Sequence, residues 1–242
     1  SFLLNPGRQI TSAGSDGKTL AISRRGAYVT LALPETLPAG ERTSVTLTYE
    51  GTVESTSLAC AEIDRDWVWL PWTACWHPVD FASFSRLECR VAVAGPLSVV
   101  GAEEPPAQSE PVRREYRISA PHSLMGLPFV AGSYSTRSGV YGDVSWTIDF
   151  SPEDEGFVDV YAGVIPRAEA ALRMLLGGGR GTPVRAVVSG RVQRVEYLGN
   201  GLLALPAVPP EDQDALLADI AAALSRAWWG ETVSPVWYPL RP

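Results

Sequence analysis

The chain has 242 residues, a formal net charge of −7 and a hydrophobic fraction of 45%. That length can bury the apolar surface of one large or two ordinary domains without a disulfide or a metal, and the composition excludes a disordered chain. The acidic balance, with no run of five or more Lys or Arg, excludes a nucleic-acid backbone or an anionic membrane face as partner.

The opening "SFLLNPG" is too short and lacks the basic flank of a signal peptide, so it reads as the start of a strand. The chain is therefore expected to be a portion of something longer. No segment reaches the roughly 18 apolar residues that span a bilayer. Strands follow. "AYVTLAL" (27–33) puts Val29, Leu31 and Leu33 on one face, and "TSVTLTY" (43–49) does the same with Val45, Leu47 and Tyr49. "RLECRVAV" (86–93) repeats the period of two through Leu87, Cys89, Val91 and Val93. The clusters "AGSDGK", "LPAGE" and "AGPL" separate these runs. Short strands at this spacing predict an antiparallel sandwich or curved sheet. "GAEEPPAQSEPVRRE" (101–115) reads as a surface loop, and its "VRRE" end as a small solvated basic spot.

The second half changes character. "VSWTIDF" (144–150) and "GFVDVYAG" (156–163) read as strands. A helix then begins at "IPRAEAALRMLLGGG", with Pro166 in its first turn, a stripe of Ile165, Ala168, Leu172, Leu175 and Leu176, and Gly177 as its stop. "VRAVVSG" and "VQRVEYLGNGLLALP" return to strand. The last helix, "PPEDQDALLADIAAALSRAWWG", has the stripe Leu217, Ile220, Ala221, Leu224 and Trp228, with acids in its first turn and Arg226 in its last. The order implies a β-rich domain followed by an α+β domain, divided as 1–136 and 137–242. The join falls in "YSTRSGVYGD" (134–143), with "SPEDEG" (151–156) as the alternative.

Cys60, Cys75 and Cys89 have neither disulfide-framework nor metal-site spacing. Cys60 and Cys75 could close the tryptophan-rich loop outside the cytoplasm, worth about 3 kcal/mol in the chain-entropy model; three free buried thiols are the alternative. Within that loop, "DRDWVWLPWTACWHPVDF" (64–81) concentrates Trp67, Trp69, Trp72 and Trp76. The four either rivet a loop to a sheet or form an aromatic platform for a peptide, a glycan or a protein partner. Asp64, Arg65 and Asp66 read as a solvated edge.

"LSRAWWGETVSP" (224–235) resembles the zinc helix of the aminopeptidase N family of gluzincin metallopeptidases. In that family the helix reads His-Glu-x-x-His, a polar residue, two aromatics and Gly. "LPAGERTSVTLTYEG" (37–51) is similar to the turn and strand that open the family's β-rich N-terminal domain, and "LMGLPFVAGSYS" (124–135) to its closing strand. "EYLGNGLLALP" (196–206) sits where the family carries Gly-x-Met-Glu-Asn and a Gly-Leu strand, matched here at Gly201 and Leu202. The resemblance implies a β-sandwich or saddle domain followed by the first part of a thermolysin-like α+β domain. Some multi-pass bacterial membrane proteins resembling transporter permeases carry such a domain outside the membrane and open it with a "FLLNPG"-like strand. By that resemblance the chain is extracytoplasmic, membrane-associated through segments outside it.

Aligned on Trp228, Trp229 and Gly230, the two histidine positions fall on Ala222 and Arg226, and the general-base glutamate on Ala223. Histidines at i and i+4 share a helix face and can each offer an imidazole lone pair to zinc. Ala222 has no lone pair, Arg226 has no acceptor, and Ala223 cannot take a proton from water. A guanidinium about 4 Å from a dication is repelled by roughly 8 kcal/mol at an effective dielectric near 20. The family's third ligand, a glutamate nineteen residues beyond the second histidine, would fall three residues past Pro242. The substrate-amine glutamate maps near Leu198, which cannot serve.

No other chemistry is legible. "LLGGGRGTP" (175–183) follows a helix and lacks a phosphate-loop lysine, so it reads as a helix stop and turn. A Ser–His–Asp hydrolase would need His77 or His122 beside an activated serine, yet no Gly-x-Ser-x-Gly elbow exists, and "APHSLMG" reads as a turn entering a strand. The expected function is a catalytically inactive aminopeptidase-like module, binding or structural. It carries no cofactor or metal, its degenerate positions are Ala222, Ala223 and Arg226, and its candidate binding residues are Trp67, Trp69, Trp72 and Trp76. A protein, a peptide or the remainder of a membrane protein is the expected partner. The alternative is a zinc-dependent aminopeptidase-like hydrolase whose site is relocated or incomplete in this fragment.

Overall fold

The computed structural model describes residues 1–55, 60–80, 85–102, 113–123, 126–177 and 184–227. The chain opens with strands β1 (Phe2–Leu3), β2 (Arg8–Ser15), β3 (Lys18–Thr19), β4 (Ala21–Arg25), β5 (Tyr28–Ala32) and β6 (Thr46–Gly51). They form two three-stranded sheets, β1-β5-β4 and β3-β2-β6. Val29 is fully buried, as the alternation predicts, whereas Leu33 and Val45 are both 37% exposed. Each lies just outside its strand, where the period of two no longer dictates a face.

The next group is β7 (Glu62–Ile63), β8 (Val68–Leu70), β9 (Ser85–Ala94), β10 (Ser98–Val99), β11 (Arg113–Ser123) and β12 (Phe129–Gly132). β10-β12-β8-β7 make a four-stranded sheet and β9 and β11 a long ribbon, every pair antiparallel. "APHS" is not a turn: it continues β11, with a register irregularity between Ala120 and Ser123. That puts His122 on a strand.

The remainder is β13 (Ser135–Tyr141), β14 (Val144–Phe150), α1 (Val158–Leu176), β15 (Val184–Ser189), β16 (Glu196–Gly199), β17 (Leu202–Pro206) and α2 (Gln213–Ala227). They build one mixed sheet in the order β13-β14-β15-β17-β16. β14 with β15 and β15 with β17 are parallel, and the outer pairs antiparallel. The fold class expected from the sequence holds: antiparallel β sheets followed by an α+β unit. No described helix is long and apolar enough to cross a membrane.

Within the expected join at 134–143, residues 135–141 are β13, hairpinned to β14. Four local expectations are corrected. Residues 156–163 are not a strand: a 3-10 turn at Pro152–Phe157 runs straight into α1. The Val-rich run mimics a period of two, but its buried residues are Val158, Tyr161, Val164, Ile165, Ala168 and Leu172, a helical spacing. Pro166 therefore lies inside α1, not in its first turn. Met174 and Leu175 are 84% and 77% exposed, so the apolar stripe ends at Leu172. In α2 the buried residues are Leu216, Ile220, Ala223, Leu224 and Ala227. The stripe is rotated from the expected one, and Leu217 and Ala221 lie at its margin.

The mixed sheet is covered on both faces. Ile148, Phe150, Ala186, Val188, Leu203 and Leu205 pack against α1 and α2. The alternate residues Val187, Leu202 and Ala204 face the other way, into a cluster with Trp67, Trp69, Val100 and Val130. This is why β15 and β17 read as continuous apolar runs without alternation. Arg191, just past β15, pairs with Glu62 of β7, its guanidinium 4.9 Å over the Trp67 ring. Arg185 of β15 donates to the Gly101 carbonyl. The tryptophan cluster and these two arginines fasten the mixed sheet to the preceding β layer.

Candidate functional site

A cleft of about 780 Å³ opens between α2 and the edge strand β16. One wall is a single face of α2, presenting Asp219, Ala222, Ala223 and Arg226. The opposite wall is β16 with its lead-in: Arg194, Val195, Glu196, Tyr197 and Leu198. The floor comes from the β layer, with Trp69 of β8, then Pro71, Trp72 and Thr73, and with Ser55 and Cys60.

Local sequence explains the placement. β16 and β17 are joined at Asn200 and Gly201, both at positive φ, 49° and 73°. Gly199 has φ 107° and stands at a register shift in the β16–β17 pairing. A Cβ there would lie 3.0 Å from the Trp72 Cβ, so the glycine admits the indole against the edge strand. Tyr197 reinforces the hairpin by accepting the Gly201 N–H at 2.9 Å. Trp72 rides on a 3-10 turn, Trp72–Ala74, held by Asn5. Asn5 is 1% exposed. Its amide donates to the Glu54 and Ala74 carbonyls at 3.0 and 2.9 Å. Its oxygen accepts the Gly7 and Glu54 N–H groups at 3.0 and 2.9 Å. All four capacities of this amide are used.

The structure brings Ala222, Ala223, Arg226, Trp69 and Trp72 to one cleft. Trp67 and Trp76 are not in its lining. Trp67 is 8% exposed and stacks on Trp69, ring centroids 5.3 Å apart at 5°. Trp76 donates to the Leu127 carbonyl at 2.7 Å and, partly buried, packs against the core of the β layer. Leu198, at 1% exposure, lines the cleft but is committed mainly to the tryptophan cluster. Trp228 and Trp229 lie outside the described residues.

His77 is structural. Its Nε2 accepts the Leu127 N–H at 2.8 Å, so Nδ1 carries the proton and donates to the Pro78 carbonyl at 2.9 Å. Burial pulls its pKa below the usual imidazole value, which the Pro78 bond only partly offsets. The neutral ring thus holds the loop that carries Trp76. Cys60, Cys75 and Cys89 are all free thiols. Cys60 is exposed at the cleft, while burial pushes Cys75 up to about 11 and raises Cys89 as well.

At the positions where the resemblance places the zinc-binding histidines, the cleft face of α2 holds the Ala222 methyl group and the Arg226 guanidinium, neither of which fits zinc. Among the described residues no three His, Cys, Asp or Glu side chains come together as a metal site. Glu196 is engaged by Arg194 at 3.5 Å.

Sequence reasoning missed Asn5, Gly199, Asp219 and the Arg194–Glu196 pair. The Gly-Asn-Gly run after an alternating strand signals a bulged hairpin. Asp219 lies three residues before Ala222, on the same helix face. Nothing in the sequence marks Asn5, whose partners are up to 69 residues away.

No protein-family model matches the chain, and no curated protein does. Solved structures do. A two-domain M1 zinc metallopeptidase mutant bound to L-arginine is similar with a TM-score of 0.70 at 17% identity, covering 95% of this chain and 56% of the other. An M1 zinc metallopeptidase from Deinococcus radiodurans aligns with a TM-score of 0.68 at 16% identity. A mutant from the same organism, bound to a Tyr-Ser-Ala substrate, aligns with a TM-score of 0.67 at 17% identity, both with the same 95% and 56% coverage. The chain thus spans 56% of the length of these structures. Over nearly its whole length it has the fold of zinc metallopeptidases of the aminopeptidase N family.

Proposed function

We propose that this chain is a catalytically silent relative of these metallopeptidases that uses the α2–β16 cleft to bind a peptide or an extended protein segment. The observation that carries this reading is the cleft face of α2, where Ala222, Ala223 and Arg226 stand among the lining residues. None can ligate a cation or take a proton from water. The fold supports the choice of ligand, since one of the similar structures holds a Tyr-Ser-Ala substrate. Trp69 and Trp72 supply apolar contact area, and the edge strand β16 forms the facing wall.

A panel of fluorogenic aminoacyl and peptidyl substrates, with and without added zinc, tests the silence. The expected result is no turnover above a buffer blank in either condition. Turnover that a chelator abolishes would favour the rival reading, a hydrolase completed by residues outside this chain. We extend the proposal to an extracytoplasmic setting in a bacterial membrane protein, on the resemblance of the opening "FLLNPG" alone. Antibody labelling of intact against permeabilised cells tests that part, and labelling only after permeabilisation would reject it.

A further inference from the structure

We infer that the cleft seats the free C-terminal carboxylate of a short peptide on the guanidinium of Arg226. This rests on the reading of the cleft as a peptide site and adds the end of the peptide that is recognised. The charge balance of the lining carries it. Among the described residues, four formally charged side chains face the cleft: Arg194, Glu196, Asp219 and Arg226. Arg194 and Glu196 pair with each other at 3.5 Å and cancel. Arg226 and Asp219 are left, and neither makes a side-chain hydrogen bond or ion pair among the described residues.

Arg226 and Asp219 are seven residues apart on one face of α2, hence about 10 Å apart along the axis at 1.5 Å per residue. The wall between them is the two methyl groups of Ala222 and Ala223, with Trp69 and Trp72 on the floor below. An extended chain advances about 3.3–3.6 Å per residue, so three residues cover that distance. A guanidinium matches a carboxylate with two parallel donors, a geometry an amide cannot accept from it in the same way. Asp219 disfavours a carboxylate at the other end, which fixes the direction in which the peptide lies. The last-turn position of Arg226 also offsets the negative end of the α2 dipole. That role requires no ligand and would not discriminate between ligand termini.

The test is a competition. The full chain is incubated with an equimolar mixture of tripeptides made both as free acids and as C-terminal amides, and the retained peptides are quantified by mass spectrometry. Free acids should be enriched about tenfold or more over their amides, the range of a charge-assisted hydrogen-bonded pair. Arg226→Ala should bring the ratio close to unity, and Arg226→Lys should fall between. Circular dichroism verifies that each variant is folded. Equal retention of acids and amides by the unaltered chain overturns the inference and leaves the cleft reading intact. An acid preference that survives Arg226→Ala has the same consequence. Retention of neither form overturns both.

Discussion

Replacing Asn5 by Ala isolates how a single amide near the N-terminus supports the cleft. The side chain is 1% exposed and makes four hydrogen bonds, all to backbone groups. Alanine leaves the Glu54 and Ala74 carbonyls and the Gly7 and Glu54 N–H groups without these partners. A net value of about 1 kcal/mol per bond sets the loss at about 4 kcal/mol. Three of the four bonds are only partly buried, so water replaces some of them, and about 2–4 kcal/mol is the working range. For a chain of this length, 1 kcal/mol corresponds to about 2–4 °C in Tm, hence a drop of about 5–15 °C. The Ala74 carbonyl belongs to the turn that carries Trp72, so near-ultraviolet dichroism from the indoles should weaken below the melting range as well. Thermal denaturation followed by near- and far-ultraviolet dichroism reads both effects. A variant that melts within about 1 °C of the parent would refute the view that this amide ties three segments together.

Gly199→Ala should cost about 1–3 kcal/mol, from a φ of 107° and a Cβ placed 3.0 Å from Trp72; an unchanged urea midpoint would contradict the close packing of β16 on that indole. His77 has a folded-state pKa below its ordinary 6.5, so the folded chain holds fewer protons there than the unfolded one. The stability this contributes is present above pH 6.5 and lost as pH falls through the lower folded value. The difference in urea midpoint between the parent and His77→Gln should therefore shrink below that pH, and a difference that grows on acidification would reverse the assignment. A maleimide reagent at neutral pH should modify Cys60 within minutes and leave Cys75, held at about 11 by burial, and Cys89 unmodified until the chain is unfolded. Peptide mapping that finds Cys75 labelled first would contradict its burial.

The β elements were legible where an apolar face alternates with a polar one, as in β9 and β5. Legibility failed where a second influence overrode the period. Phe157 through Tyr161 is rich in Val and aromatic residues and suggests a strand, yet α1 begins there, because packing against β14 and α2 rewards the helical spacing. β13 was hidden because Ser, Thr and Gly lie along an exposed edge that needs no apolar alternation. Of the candidate site, the helix positions Ala222, Ala223 and Arg226 came from the resemblance to the zinc helix, aligned on Trp228, Trp229 and Gly230; spacing adds only that i, i+3 and i+4 share a helix face. The tryptophans were not separable by sequence. Trp67 and Trp69 differ by two residues and both pack into one cluster, and only the three-dimensional course of the loop decides that Trp69 reaches the cleft and Trp67 does not.

The claim on which the account turns is that the α2 face at Ala222 and Arg226 offers a cation nothing to bind. Metal analysis of the chain, purified from zinc-supplemented medium and dialysed, tests it most directly. The account predicts a zinc content indistinguishable from the dialysis buffer. One tightly held zinc per chain, released by a chelator and regained stoichiometrically on addition of zinc, would contradict it.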